Sequence, residues 1–133
     1  MAGVVPLSSD KTQVLLIQST RRNGWVIPKG GWETDESTPQ DAACREAWEE
    51  AGIICKVQKD LGEIPDRRGP HELTLHAPRA IFKFFEVTVE KEEAKWPEMH
   101  KRDRKWMTYD EAKAALTARP ELLEALNRSS IIR

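Results

Sequence analysis

Glu46, Glu49 and Glu50 stand at positions i, i+3 and i+4, so a helix through them brings three carboxylates to one face. Like charges at these spacings repel, each pair costing roughly a few tenths of a kcal/mol on a bare helix. Something must offset that repulsion. Hard divalent cations take oxygen ligands, and Mg²⁺ combines a few carboxylates with substrate phosphates. The same residues also read as a solvated acidic face, with Arg45 paired to Glu49 at i, i+4. The other side of the helix carries Ala43, Ala47 and Ala51, small residues that let it lie close to a sheet.

The residues upstream bear on the choice. Pro28-Lys29-Gly30-Gly31-Trp32-Glu33-Thr34-Asp35-Glu36 runs directly into this segment. Adjacent glycines allow the main chain to approach a ligand closely. Thr38 can cap a helix, Pro39 suits its first turn, Asp41 is placed to complete a capping box, and Gly52 is a good terminator, so a helix is predicted over 38–51.

Taken together, residues 30–53 resemble a Nudix box, whose form is G-x5-E-x7-R-E-x2-E-E-x-G followed by an aliphatic residue. Arg45, Glu46, Glu49, Glu50, Gly52 and Ile53 match in place, and Gly30 and Glu36 meet the glycine-to-glutamate spacing. The departure is that eight residues, not seven, separate Glu36 from Arg45; counting back from Arg45 puts Ser37 where a glutamate is expected. This reads as a one-residue insertion ahead of the helix cap. Trp25 to Gly31 and the stretch from Trp96 to Arg133 resemble, more narrowly, the fungal-type diphosphoinositol polyphosphate and diadenosine polyphosphate phosphohydrolases.

The resemblance implies a Nudix fold, a mixed β-sheet sandwiched between helices (α/β), with residues 1–133 as one domain. It implies that Glu46 and Glu50 coordinate Mg²⁺, for which Mn²⁺ can substitute, helped by a main-chain carbonyl at Lys29 or Gly30. It makes Glu49 the catalytic base or a further metal ligand, and Arg45 the residue that holds the glutamates. It also implies that Arg102 and Arg119 touch substrate phosphates. Such chemistry is consistent with the residue types: phosphoanhydride cleavage asks for a positioned water and neutralised phosphate oxygens, and little covalent help.

The basic residues carry the reading of the substrate. Arg21, Arg22, Lys29, Arg67, Arg68, Arg79, Arg102, Arg104 and Arg119 are the candidate phosphate contacts, and each taken alone is equally a solvated charge. Arginine grips phosphate with a planar pair of donors, which suits a densely phosphorylated small molecule. His71 and His76 could add donors and are left unassigned. Trp25 and Trp32 flank the glycine pair and Trp48 lies on the helix, none clearly set to stack on adenine. The expected activity is therefore that of a diphosphoinositol-polyphosphate diphosphatase, with diadenosine polyphosphates and inorganic polyphosphate as further substrates. The alternatives are a nucleotide-directed enzyme acting on dinucleoside polyphosphates or RNA caps, and a non-catalytic module that binds polyphosphates.

The remaining sequence must position these groups. A chain of 133 residues, 39% hydrophobic and 32% charged, fits one folded unit with its own core. Acidic residues gather at 33–36 and 46–50 and basic ones at 21–22, 67–68 and 101–105, which suggests a cation site beside an anion site. With a net charge of −1 and the basic residues scattered among acids, no stable nucleic-acid partner is expected. No apolar run approaches membrane-spanning length. Cys44 and Cys55 do not make a disulfide framework, so a reducing compartment, cytoplasm or nucleus, is expected, with Cys44 as packing and the protein as a monomer. The chain opens directly on strand-like sequence, leaving room for natural residues ahead of it.

Strands are predicted over Gly3–Leu7, Thr12–Gln18, Trp25–Pro28, Ile53–Ile64, Arg79–Glu90 and Arg104–Met107. Residues 65–79 read as a loop broken by a short strand, and 91–103 as too charged and too interrupted by Pro97 to be core. Thr108 and Glu111 open a second helix with Ala112, Ala115 and Leu116 as its stripe; after Pro120 a last helix turns Leu122, Leu123 and Leu126 inward.

Overall fold

The first strand, β1 (Ala2–Leu7), is buried at all six positions. Successive strand residues point to opposite faces, so both faces of the sheet are covered along it. In this computed structural model, which describes residues 1–20, 23–31, 38–65 and 81–133, β1 is the spine of a mixed sheet. It pairs in parallel with β6 (Ile81–Glu92), from Ala2↔Lys83 to Leu7↔Thr88. It also pairs antiparallel with the two-residue β4 (Lys29–Gly30), Gly3 facing Lys29 and Ala2 facing Gly30. β5 (Ile53–Pro65) runs antiparallel to β6 at the end of the sheet, with register breaks at Ile54/Cys55, Val57/Lys59 and Asp60/Gly62. β2 (Val14–Gln18) meets β1 at Leu7↔Val14 and carries β3 (Trp25–Val26) and β7 (Arg104–Met107) antiparallel on its two sides. The mixed sheet with helices packed on it agrees with the architecture expected.

The helix predicted over 38–51 forms, with the Thr38 side-chain cap and the Gly52 stop in place. Thr38 accepts from the Asp41 N–H at 3.1 Å, α1 runs Pro39–Ala51, and Gly52 stops it at φ 67° with its own N–H on the Trp48 carbonyl. Ala42, Ala43, Ala47 and Ala51 are fully buried, which brings α1 down onto β1, β4, β5 and β6. Gly52 has a second duty: a Cβ there would lie 2.6 Å from the Trp96 ring. α2 (Tyr109–Leu116) opens on the Thr108–Glu111 capping box and packs on β2, β3 and β7. α3 (Pro120–Arg128) packs on β5 and α2. Its inward residues are Leu122, Ala125 and Leu126; Leu123 only flanks the core.

The reading of 91–103 as outside the core needs correction at two residues. Arg102 is 9% exposed, and Trp96 packs under Gly52. Charge patterning misreads this segment because its anchors lie on the end of α1: the Trp96 indole donates to the Glu50 carbonyl at 3.2 Å, and the Glu98 N–H to the Glu49 carbonyl at 3.0 Å. The strand and loop expectations for 66–80 lie outside the described residues, and the long strand starts at Ile81 among those that are described.

Candidate functional site

β4 and α1 build the centre of the site. β1 holds β4 by its ladder, and the alanine face of α1 sets how closely the helix approaches. The Lys29 N–H donates to Glu50 Oε1 at 3.0 Å, so the loop backbone orients one carboxylate. Gly30 makes room for the other: a Cβ there would sit 2.1 Å from Glu46 Cδ. Glu46 is 8% exposed. Burial pushes both carboxyls up, the Glu50 group to about 7, and each feels the other. For Glu50, the Lys29 N–H and the charges of Arg102 and Lys29 pull the other way without overcoming burial.

The third glutamate is treated differently. Both Glu49 oxygens accept from Arg45 Nη1, at 2.8 and 3.1 Å, so the i, i+4 pair of the solvated-face reading does form. The same guanidinium lies 3.0 Å from Glu46 Oε1 and donates to the Gly31 carbonyl at 2.8 Å. Arg45 thus ties Glu46, Glu49 and the glycine loop together. The helix face that was expected to present three carboxylates alike instead turns Glu46 and Glu50 inward and leaves Glu49 at its rim.

A group of cations borders Glu50. Lys29 is held below its ordinary pKa by burial first and then by repulsion from Arg119 and Arg102, against the opposing pull of Glu50 and Glu121. Arg102 Nη1 lies 4.0 Å from Glu50 Oε1; Nη2 is 3.2 Å from Glu98 and 3.4 Å from Thr20 Oγ1. Its buried Nε has no hydrogen-bond partner among the described residues. Arg119 donates through Nε to the buried Glu121 at 2.8 Å. Glu98 and Glu121, which hold these two arginines, were not singled out in the sequence. The i, i+4 spacing of Glu98 to Arg102 was the available signal for the first.

Arg104, one of the candidate phosphate contacts, is engaged with the end of α1. It donates to the carbonyls of Ala51 (2.8 Å), Gly52 (3.3 Å) and Glu93 (2.8 Å), and its guanidinium lies 4.2 Å from the centre of the Trp96 ring. A cation on the last carbonyls of a helix satisfies orphan acceptors and complements the helix dipole, so Arg104 locks the end of α1. Arg21, Arg22, Arg67, Arg68, Arg79, His71, His76, Glu36 and Ser37 lie outside the described residues.

The arrangement fits a hard divalent cation. Two adjacent carboxyls kept above their ordinary range by burial are short of positive charge, and all the donors are oxygen. Among the described residues no group of three or more His, Cys, Asp or Glu converges, so these residues supply the Glu46–Glu50 pair. Mg²⁺ is commonly held in that way, keeping positions for water and substrate phosphate.

A family model described as NUDIX domain matches residues 1–128. The chain is 40% identical over 110 residues to Nudix hydrolase 18, mitochondrial, of Arabidopsis thaliana, covering 80% of this chain and 57% of that protein. It is 38% identical over 126 residues to Nudix hydrolase 16, mitochondrial, of the same plant, covering 84% and 69%. The chain thus spans between about half and two thirds of these relatives' lengths. Among solved structures, a NUDIX hydrolase from Nitrosomonas europaea matches with a TM-score of 0.77 at 16% identity, covering 96% of this chain and 86% of that one. The C. elegans Ap4A hydrolase matches at 0.69 and 20% identity, covering 96% and 92%. At these identities the structural likeness speaks to fold alone. The cytoplasmic or nuclear address expected from the sequence is overturned by the relatives, which are mitochondrial by name.

Proposed function

Because the chain belongs to the NUDIX family, we propose that it is a Mg²⁺-dependent phosphoanhydride hydrolase whose preferred substrate is an inositol polyphosphate bearing a diphosphate group. Mn²⁺ is the natural substitute. The observation that carries this reading is the adjacency of the Glu46–Glu50 pair to Lys29 and Arg102, with Arg119 in turn acting on Lys29. A cation site and an anion site share one border, as a metal-bridged polyphosphate requires.

In this reading Glu46 and Glu50 hold the cation, with a main-chain carbonyl at Lys29 or Gly30. When bound, the ion supplies charge neutralisation at phosphate oxygens and a more acidic water. Arg45 positions Glu46 and Glu49 through its three contacts. Glu49, fixed by Arg45, orients the attacking water and takes its proton. Lys29, Arg102 and Arg119 bind the remaining phosphates, and Glu98 and Glu121 keep the two guanidiniums aimed.

The emphasis on charge has structural support. The recess beside Arg119, lined by Trp25, Gly24 and Ala118, is about 60 Å³. Trp48 lies away from the site, on the Cys44 side of α1. The second reading is a diadenosine polyphosphate hydrolase, which the same bordering cation and anion sites would serve.

Phosphate release from a diphosphoinositol pentakisphosphate and the appearance of two adenosine polyphosphates from diadenosine hexaphosphate, measured side by side with Mg²⁺, test the choice. The inositol substrate should show the higher kcat/KM, and Arg119→Ala should raise its KM about tenfold, the effect of losing one charge-assisted contact. A preference for the dinucleotide favours the second reading. Binding of both without release from either makes the chain a polyphosphate-binding module.

A further inference from the structure

The helix that carries the glutamates has a second edge, against β5. Cys44 lies on α1 and Cys55 on β5, with their sulfurs 4.0 Å apart and the Cys55 thiol donating to Cys44. Both are free and half-buried. Packing explains that degree of burial, but not two thiols in contact at the wall of an open groove. The groove, about 320 Å³, is lined by both cysteines together with Trp48, Ile54 and Glu93. It gives a small molecule access to the sulfurs.

A disulfide holds its sulfurs at about 2.05 Å, so these two must approach by about 2 Å. The local backbone is placed to yield. Cys55 sits directly at the Ile54/Cys55 register break, on the last strand of the described sheet, where ladder pairing is already interrupted.

We propose that Cys44 and Cys55 are a reversible disulfide site, oxidised by a small-molecule disulfide such as glutathione disulfide that enters this groove. One cysteine gives up its proton and attacks a sulfur of the oxidant, and one glutathione leaves as its thiolate. The second cysteine gives up its proton and attacks the cysteine sulfur of that mixed disulfide, and the other glutathione leaves. The protein loses two electrons and two protons; the oxidant becomes two thiols. The bond formed ties α1 to β5 on the side of the helix away from Glu46. The site does not depend on the hydrolase reading, and because its test is chemical, failure of one leaves the other standing.

The reduced protein is incubated with glutathione disulfide, its free thiols are counted, and a non-reducing peptide map is taken by mass spectrometry. The expected result is loss of both thiols, a peptide pair joined through Cys44 and Cys55, and full recovery with dithiothreitol. Cys55→Ser and Cys44→Ser, each lacking the resolving thiol, should stop at a single glutathione adduct or stay unreacted, and never give the joined peptides. Wild type that accumulates glutathione adducts without the joined pair, or keeps both thiols free in the folded state, overturns the proposal.

Discussion

Gly30→Ala is expected to lower hydrolytic activity by about 100-fold or more while leaving the protein folded. The added Cβ would lie 2.1 Å from Glu46 Cδ and 2.3 Å from both carboxylate oxygens, so the carboxylate must swing away. It is the end of a flexible side chain, so the fold can accommodate the change at a cost of roughly 1–3 kcal/mol. The site cannot: a misplacement of about 1 Å in a reacting constellation can cost about 100-fold in rate. Gly31→Ala is the matched comparison. Among the described residues nothing lies within 4 Å of a Cβ there, and it should retain activity within about threefold. Steady-state rates and urea midpoints of the two variants separate a displaced ligand from a damaged fold. Equal losses in both variants would count against the role given to Glu46.

Glu50→Gln should lose about 100-fold or more of the activity and yet be the more stable protein when metal is removed. Burial raises the Glu50 carboxyl from 4.5 to about 7. A carboxyl with a raised folded-state pKa keeps its proton after the unfolded chain has released it. Its contribution is fully present below pH 4.5, declines as pH rises to 7, and above that leaves the folded state poorer. At about 1.4 kcal/mol per pKa unit, the loss reaches up to about 3 kcal/mol at pH 8. Glutamine keeps an oxygen to accept the Lys29 N–H and removes the titration. Urea unfolding in a chelator from pH 5 to 8 should show wild-type stability falling where the variant stays flatter, with the variant ahead at pH 8. Mg²⁺ should restore wild type and leave the variant unmoved. A variant less stable than wild type at pH 8 in chelator would show that Glu50 is not short of positive charge.

The parts of this site that could be read in the sequence are those set by local spacing. The i, i+4 relation of Glu46 and Glu50, the Thr38 cap, the alanine face and the Gly52 stop all act within α1, and the helix formed where they place it. Long-range partners decided the rest. Arg104 reads as one more cation in a basic run until the carbonyls of Ala51, Gly52 and Glu93 surround it. Trp96 reads as loop until the missing side chain of Gly52 gives it a seat. Glu49 looks equivalent to its neighbours because periodicity records a shared face but not which of its members meets β4 and which stays at the rim. Cys44 looks like a packing residue because nothing local signals that α1 and β5 bring it into contact with Cys55.

The account stands or falls on whether the Glu46–Glu50 pair holds the cation that hydrolysis needs. The direct measurement is Mn²⁺ binding by electron paramagnetic resonance, on wild type and Glu46→Gln/Glu50→Gln, with hydrolysis assayed on the same samples. The expected result is that wild type binds and hydrolyses while the double variant, folded by circular dichroism, does neither. A double variant that still binds Mn²⁺ with wild-type affinity, or still hydrolyses substrate at the wild-type rate, would contradict it.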